Sequence, residues 1–239
     1  MGFKSKFPPV LLAALFCLIT QVRAQEPSIC WGSPQAGRIE NAWPLPTEGK
    51  NFELYSRVGS IFGRNYVHSQ VYQVIVQSFQ ALSVSDPALR FVIGETGLQY
   101  GGQFRPHKTH QNGLSVDFFV PVLDRQSRPS SLPRHLFNRF GYGIEFDKRA
   151  HFGEYHIDFE AIAKHLIALK IAADQAGLGI RVVIFDNDFQ TMLRATEAGK
   201  KLPTTLKFST KKPWIRHDEH YHIDFELACL PMPQPILSR

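Results

Sequence analysis

The spacing of apolar residues predicts two long helices. Between Tyr66 and Ser83 the apolar positions recur every three or four residues, as they do on one face of a helix. A similar pattern follows Asp158, whose carboxylate is suited to cap a helix, and Gly177 is suited to end it. His165 falls on the apolar face of this second helix, so we expect it to be a core histidine rather than a ligand.

Four short segments are predicted to form strands, because each is an apolar or alternating run bounded by turn residues or loops. They are Leu89–Gly97, Leu114–Val122, Arg181–Asp186 and His220–Leu227. Strands that are separated by helices and long loops favour an α+β fold. The sequence therefore predicts an α+β domain with a small central antiparallel sheet, flanking helices and long loops.

The hexapeptide Tyr-His-Ile-Asp-Phe-Glu occurs twice, at positions 155–160 and 221–226. The first copy leads into the second predicted helix, whereas the second copy lies in the last predicted strand. Successive side chains of a strand point to opposite faces, so this strand sorts its residues into two sets. One face is expected to carry His220, His222, Asp224 and Glu226, and the other Tyr221, Ile223, Phe225 and Leu227.

Residues 1–24 have the layout of a secretory signal peptide. Lys4 and Lys6 precede an apolar run over Pro9–Ile19, and Val22-Arg23-Ala24 resembles a cleavage site. The apolar run is shorter than the roughly 20 residues that a membrane-spanning helix needs, which argues against an anchor. We therefore expect an exported, periplasmic protein without membrane insertion, whose residues 25–239 form a single domain.

Net charge and cysteine count indicate which partners this domain can have and whether it contains a disulfide. Removal of the leader takes away three basic residues and no acidic one, so the net charge falls from +6 to +3. This mild excess, without a basic stripe interleaved with aromatic residues, does not indicate a nucleic-acid partner. Cys30 and Cys229 remain after cleavage. In an oxidising compartment this pair predicts one disulfide, with two separate buried thiols as the alternative.

Five of the ten histidines fall in two short windows, RPHKTHQNGLSVDFF and WIRHDEHYHIDFE. His220 and His222 are two positions apart on a strand and share a face, so both can approach one metal ion. A catalytic zinc site uses three nitrogen or oxygen ligands and leaves one position open. His110, Asp117 and His222 are suited to be these ligands, with His220 beside the water. A solvated histidine pair, with Asp117 at a turn or sheet edge, is the alternative.

The segments GGQFRPHKTHQNGLSVDFF and RHDEHYHIDFE resemble the two signature windows of the penicillin-insensitive murein endopeptidases. The resemblance extends more loosely over SICWGSPQAGRIENAWPLP and GRNYVHSQV, and so covers most of the mature chain. It implies a zinc ion on His110, Asp117 and His222, at a site on the sheet. It also implies that His220 is a non-ligand histidine that acts as general base or stabilises the transition state.

Further residues are assigned by the resemblance alone. His107 and His217 match family histidines, and we expect them to orient the ligands through hydrogen bonds. In the family the histidine that matches His107 also serves an accessory metal site, for which Asp147 and His151 lie in the right region with different spacing. Glu95 is a cleft candidate on the same ground. Apart from the resemblance, Arg105 and Arg216 are candidates for binding a substrate carboxylate, with surface charges as the alternative.

The implied activity is that of an exported zinc metallopeptidase that hydrolyses peptide cross-links in bacterial peptidoglycan. No Gly-x-Ser-x-Gly motif is present, and both remaining cysteines are interpreted as structural. The alternatives are a D-alanyl dipeptidase or carboxypeptidase of the same wider group, and a murein-binding protein without catalysis. Homodimer formation stays open.

Overall fold

The computed structural model describes residues 25–133, 143–211 and 216–233, so the predicted signal peptide lies outside the described residues. In chain order the strands are β1 (Ile29–Ser33), β2 (Ala36–Glu40), β3 (Trp43–Pro44), β4 (Phe52–Leu54), β5 (Tyr66–Val67), β6 (Phe91–Ile93), β7 (Ser115–Phe119), β8 (Val122–Leu123), β9 (Pro129–Ser130), β10 (His151–Phe152), β11 (Tyr155–Ile157), β12 (Gly179–Ile184) and β13 (His220–Glu226). The helices are α1 (Arg57–Ile61), α2 (Ser69–Ser85), α3 (Phe159–Gln175) and α4 (Asn187–Ala195), with a 3₁₀ turn at Gly199–Lys201.

A five-stranded sheet in the order β12-β13-β7-β6-β4 forms the centre of the fold. The pairs β12–β13, β13–β7 and β7–β6 are antiparallel, as predicted. The edge pair β4–β6 is parallel, which differs from the predicted pattern. Parallel neighbours need a long crossover, and here α1 and α2 lie between the two strands. The predicted α+β fold class is confirmed.

The helix predicted from Tyr66 begins three residues later. Tyr66 and Val67 pair with β3, and the His68 side chain caps α2 by accepting a hydrogen bond from the Gln70 backbone N–H at 3.2 Å. The helix then presents a buried apolar face to the sheet and to α3. Its buried apolar residues are Val71, Val74, Ile75, Phe79 and Leu82.

The two copies of the hexapeptide adopt different structures. In the first copy, β11 is followed by Asp158, which caps α3 by accepting from the Ala161 backbone N–H at 2.9 Å. Gly177 follows the helix with φ of 66°, a left-handed conformation that suits glycine. The second copy is extended throughout as β13, because it pairs with strands on both sides. The residues that surround each copy therefore decide its conformation.

His165 is a core residue, as predicted. It is fully buried in α3, and its ring stacks on Phe79 with 4.7 Å between ring centroids. Its Nδ1 lies 2.5 Å from the hydroxyl of Tyr221, which belongs to the buried face of β13. The core thus reaches the back of the strand that carries His220 and His222.

The predicted disulfide between Cys30 and Cys229 is confirmed, and it joins residues 199 positions apart. Backbone hydrogen bonds reinforce the junction, because Leu230 N–H donates to Cys30 C=O at 2.9 Å and Gly32 N–H donates to Leu230 C=O at 2.8 Å. The Asn112 amide also lies 3.5 Å from the Cys229 sulfur. The covalent link therefore closes the fold beside the loop that precedes β7.

Among the described residues, no helix has the length and apolarity that crossing a bilayer requires.

Replacement of His165 by Phe, together with Tyr221 by Phe, should make the protein less sensitive to acid. Burial lowers the pKa of His165 to about 3 from its ordinary value of 6.5, so below pH 6.5 the unfolded chain binds a proton that the folded protein excludes. The free energy of unfolding of the wild type should fall by about 1.4 kcal/mol per pH unit from this residue. Urea unfolding at pH 7 and pH 5 should show a loss about 2 kcal/mol smaller in the variant. Equal losses would mean that His165 is protonated inside the folded protein.

Reduction of the disulfide should lower the free energy of unfolding by about 5 kcal/mol, because the unfolded chain regains the entropy of a very long loop. Urea unfolding with and without reductant measures this change. A variant with both Cys30 and Cys229 replaced by serine should be equally destabilised and should not respond to reductant. An unchanged unfolding midpoint after complete reduction would contradict the role of the bond.

Candidate metal centre

The register between β7 and β13 brings the two sequence windows together. His222 stands directly opposite Asp117, and its Nδ1 lies 2.7 Å from Asp117 Oδ1. Two positions away on either side, and therefore on the same face, His220 is opposite Phe119 and Asp224 is opposite Ser115. Because directly opposed side chains of an antiparallel pair point to the same face, one register aligns the whole row. The predicted meeting of Asp117 and His222 is thus a consequence of strand pairing.

Asp224 holds the other side of the His222 ring. Its Oδ1 lies 2.9 Å from His222 Nε2 and accepts a hydrogen bond from the Ser115 hydroxyl at 2.5 Å. Its second oxygen forms an ion pair with Arg181. A carboxylate can only accept, so Asp224 keeps a proton on His222 Nε2 and turns Nδ1 toward Asp117.

His110 approaches Asp117 from the loop before β7. Its Nδ1 lies 2.7 Å from the backbone oxygen of Thr96, and a carbonyl can only accept. The proton of the neutral ring therefore sits on Nδ1, and the lone pair sits on Nε2. Nε2 is 3.3 Å from Asp117 Oδ2 and is buried without a hydrogen-bond partner among the described residues.

This arrangement fits a bound cation. With the tautomer that Thr96 imposes, a lone pair on His110 faces an oxygen of Asp117, and two acceptors need a positive centre between them. A tetrahedral zinc ion holds neighbouring ligand atoms roughly 3.4 Å apart, given metal–ligand distances of about 2.1 Å. The observed 3.3 Å between His110 Nε2 and Asp117 Oδ2 matches that separation. Imidazole nitrogen and carboxylate oxygen are also the donors that zinc prefers.

His107 is a further donor at this centre. Its Nδ1 is 3.8 Å from Asp117 Oδ2, and its Nε2 is 3.9 Å from Glu95 Oε2. The ligand atoms of His107, His110 and Asp117 all lie within 4.8 Å of one another, so these three residues form a group that could hold a metal ion. Burial lowers the pKa of His107 to about 3, which leaves the ring neutral and able to bind a metal at neutral pH.

The site favours positive charge. Burial alone would lower the pKa of His222, yet the carboxylates of Asp224 and Asp117 raise it to about 10. Burial alone would raise the pKa of Asp117, but its electrostatic interactions and hydrogen bonds with the surrounding histidines hold it well below its ordinary value. Asp117 is therefore an anion deep in the protein, and it requires cationic or proton-donating neighbours.

His220 and His217 lie on the adjoining side of the centre. The two rings are 4.6 Å apart between centroids, and His217 is 6.5 Å from the ring of His222. His220 Nδ1 is 3.1 Å from Oε1 of the buried Glu219. Burial alone would lower the pKa of His220, but the negative charges of Glu219 and Asp117 outweigh it and raise the pKa. His220 thus stands beside the cluster on the same strand face as His222.

The structure does not gather the residues that were considered for an accessory metal. Asp147 and His151 lie 3.8 Å apart in an exposed turn, and neither belongs to the donor group found among the described residues. His107 instead joins the cluster around Asp117. A second site built from His107, Asp147 and His151 therefore has no support in the described part of the chain.

The remaining cleft candidates have distinct surroundings. Glu95 forms a salt bridge with Arg64, and burial raises its pKa above the ordinary value. Arg216 is engaged within the protein, at 3.0 Å from Asp186 and 3.3 Å from Asp218, which disfavours a free substrate-binding role. The side chain of Arg105 is exposed.

Sequence reasoning missed three groups that orient the histidines. The Thr96 carbonyl could not be found from residue type, because every residue carries one. Asp224 was placed on the correct face of β13 by alternation but was given no role. Glu219 had a local signal, since an acidic residue directly precedes His220. Its orientation could not be inferred because neighbouring residues of a strand normally face apart.

The model of the penicillin-insensitive murein endopeptidase family matches residues 30–232. This range includes every residue of the cluster described above. A search of curated proteins found no match to the chain.

Proposed function

The chain belongs to the penicillin-insensitive murein endopeptidase family, and from that premise we propose that it is an exported zinc metallopeptidase that hydrolyses peptide cross-links in bacterial peptidoglycan. The observation that carries the proposal is the buried Asp117 carboxylate between His110 and His222, at 3.3 Å and 2.7 Å. Donor type, burial and fixed tautomers are those of a catalytic metal site.

We assign the zinc ligands to Nε2 of His110, the carboxylate of Asp117 and Nδ1 of His222. The choice of His222 over His107 rests on orientation, because Asp224 and the strand register hold the His222 ring in place. His107 lies farther from Asp117, and its Nε2 lacks a hydrogen-bond partner among the described residues. We therefore give His107 the role of a neighbouring group that shapes the centre.

When bound, zinc supplies Lewis-acid polarisation of the scissile carbonyl and activates the attacking water. His220 acts as the general base and then as the general acid. It accepts the proton of the attacking water and donates it to the leaving amine, a role suited to imidazole near neutral pH. The ring of His217 packs against that of His220 and helps to hold it in place. No serine or cysteine nucleophile takes part, so penicillin should not inhibit the reaction.

A small, shallow cleft borders this centre and is a candidate for part of the substrate-binding surface. Its lining includes Tyr55, Arg64, Glu95 and Phe119. Glu95 Oε2 is 3.9 Å from His107, and the ring of Phe119 is 6.3 Å from that of His220. A peptide that runs along this cleft would therefore pass close to the cluster.

The assignment to the periplasm rests on two features of this chain. The pattern of residues 1–24 is that of a signal peptide, and the Cys30–Cys229 disulfide is typical of an oxidising compartment. We propose that residues 25–239 are the mature, single-domain enzyme.

Alanine variants should separate zinc binding from turnover. His222→Ala should lose zinc, because one of three ligands is removed, whereas His220→Ala should keep zinc and lose activity by roughly 100-fold or more. Metal analysis after dialysis gives the zinc content, and digestion of purified murein sacculi gives the activity. His107→Ala is the matched comparison and should retain zinc. Equal zinc loss in the His220 and His222 variants would refute the division of roles.

Product analysis of the same digests should identify the bond that is cut. An endopeptidase lowers the proportion of cross-linked fragments, whereas a carboxypeptidase or dipeptidase releases free D-alanine or its dipeptide. We expect loss of cross-links, abolished by a chelator and restored by zinc. Binding to sacculi without any product would instead favour a murein-binding protein.

Replacement of Asp224 by Asn should weaken zinc binding by about 10- to 100-fold, because the His222 ring loses the carboxylate that orients it. Competition with a chromogenic chelator measures the affinity. Glu226→Gln removes an exposed carboxylate from the end of the same strand and should leave the affinity unchanged. Wild-type affinity in the Asp224 variant would show that Asp224 does not orient the ligand.

A further inference from the structure

A buried carboxylate stands directly before His220. Glu219 is 2% exposed, and its Oε1 lies 3.1 Å from His220 Nδ1. Burial of an ionisable side chain is costly unless a hydrogen-bonding partner offsets it, and His220 is such a partner. The two side chains therefore form a buried hydrogen-bonded pair.

This contact determines which nitrogen of His220 takes part in chemistry. A carboxylate only accepts hydrogen bonds, so the proton of the neutral ring is held on Nδ1. The lone pair is then on Nε2, which is the nitrogen left for proton transfer. The same carboxylate limits rotation of the ring about its bond to the backbone.

The backbone around Glu219 is anchored on both sides. Its carbonyl oxygen accepts a hydrogen bond from the Val120 backbone N–H at 3.0 Å, which extends the pairing beyond β7. The preceding Asp218 points elsewhere, because it accepts from the Phe146 backbone N–H at 2.7 Å and lies 3.3 Å from Arg216. Glu219 is thus fixed before β13 begins, where its side chain can turn toward its neighbour.

Glu219 is also separate from the metal-binding group. The proposed zinc ligands are His110, Asp117 and His222, whereas the Glu219 carboxylate contacts Nδ1 of His220 at 3.1 Å. Its carboxylate is therefore available to His220 rather than to the metal.

We propose that Glu219 is a positioning residue that fixes the tautomer and orientation of His220 for peptide hydrolysis. The inference rests on the proposed function, in which His220 transfers the proton. In this arrangement the Glu219 carboxylate orients His220, and His220 in turn takes the proton from the attacking water. In many enzymes a general base is oriented in this way by a hydrogen bond to a further side chain.

The test compares Glu219→Ala, Glu219→Gln and the exposed control Glu226→Gln in the zinc-loaded mature protein. In Glu219→Ala, kcat on purified cross-linked muropeptides should fall by at least about 10-fold with KM changed less than about twofold. Zinc content should stay complete. Glu219→Gln keeps an acceptor oxygen and should recover part of the lost kcat. Glu226→Gln should match the wild type.

Nitrogen-15 NMR of the histidine rings gives a readout that does not depend on turnover. The His220 signals are identified by their absence in His220→Ala. In the wild type they should report a single tautomer with the proton on Nδ1, and in Glu219→Ala a mixture. Unchanged signals with unchanged kcat would overturn the proposal, as would a rise in KM alone.

The outcomes also distinguish this proposal from the proposed function. If wild-type protein cleaves no murein while its His220 signals depend on Glu219, the peptidase assignment fails and the positioning role stands. If the wild type is active but neither Glu219 variant changes kcat or the His220 signals, only the positioning role fails. Should Glu219→Ala not fold, Glu219→Gln is the test. A tautomer mixture at His220 with a lower kcat would support the proposal, and wild-type signals with wild-type kcat would overturn it.

Discussion

The ionised carboxylate of Asp117, buried between two strands and a loop, is the constraint on which the site depends. An anion in the interior is tolerated only if positive or proton-donating groups surround it. Here His222 and His110 lie 2.7 Å and 3.3 Å away, and His107 lies 3.8 Å away. The same arrangement that makes the folded protein accept this charge also forms a group of side chains that could hold a metal ion. The contacts that stabilise the buried charge are therefore the same ones on which the proposed metal site depends.

The fold places these side chains by using the two faces of β13 for different purposes. In β13 one set of side chains, which includes Tyr221 and Ile223, packs into the core, while the alternate set reaches the site. The buried contact between Tyr221 and His165 ties the back of the strand to α3. Because the core specifies the register of β13 against β7, it also specifies where His222 meets Asp117.

A common principle orients the three imidazoles around the centre. Each has one ring nitrogen held by an oxygen that can only accept: the Thr96 carbonyl for His110, Asp224 for His222 and Glu219 for His220. In the proposed function, the remaining nitrogen of each ring faces the metal or the reacting groups. The three acceptors come from different parts of the fold, so the tautomers are a property of the assembled structure.

Local patterns in the sequence determined a large part of this protein. Helical spacing predicted α2 and α3, alternation predicted the two faces of β13, and the two histidine windows predicted residues that the fold brings together. The disulfide was predicted because Cys30 and Cys229 are the two cysteines outside the predicted signal peptide. These features were readable because each depends on residue type and short-range periodicity.

Tertiary structure alone decided the rest. The hexapeptide is split between strand and helix in one place and forms one central strand in the other, because pairing partners rather than its own letters select the conformation. The parallel edge strand, the approach of His107 to Asp117 and the turning of Glu219 toward His220 have the same origin. Each depends on contacts between residues or backbone groups whose positions are set only when distant elements pack, and no local pattern encodes such distances.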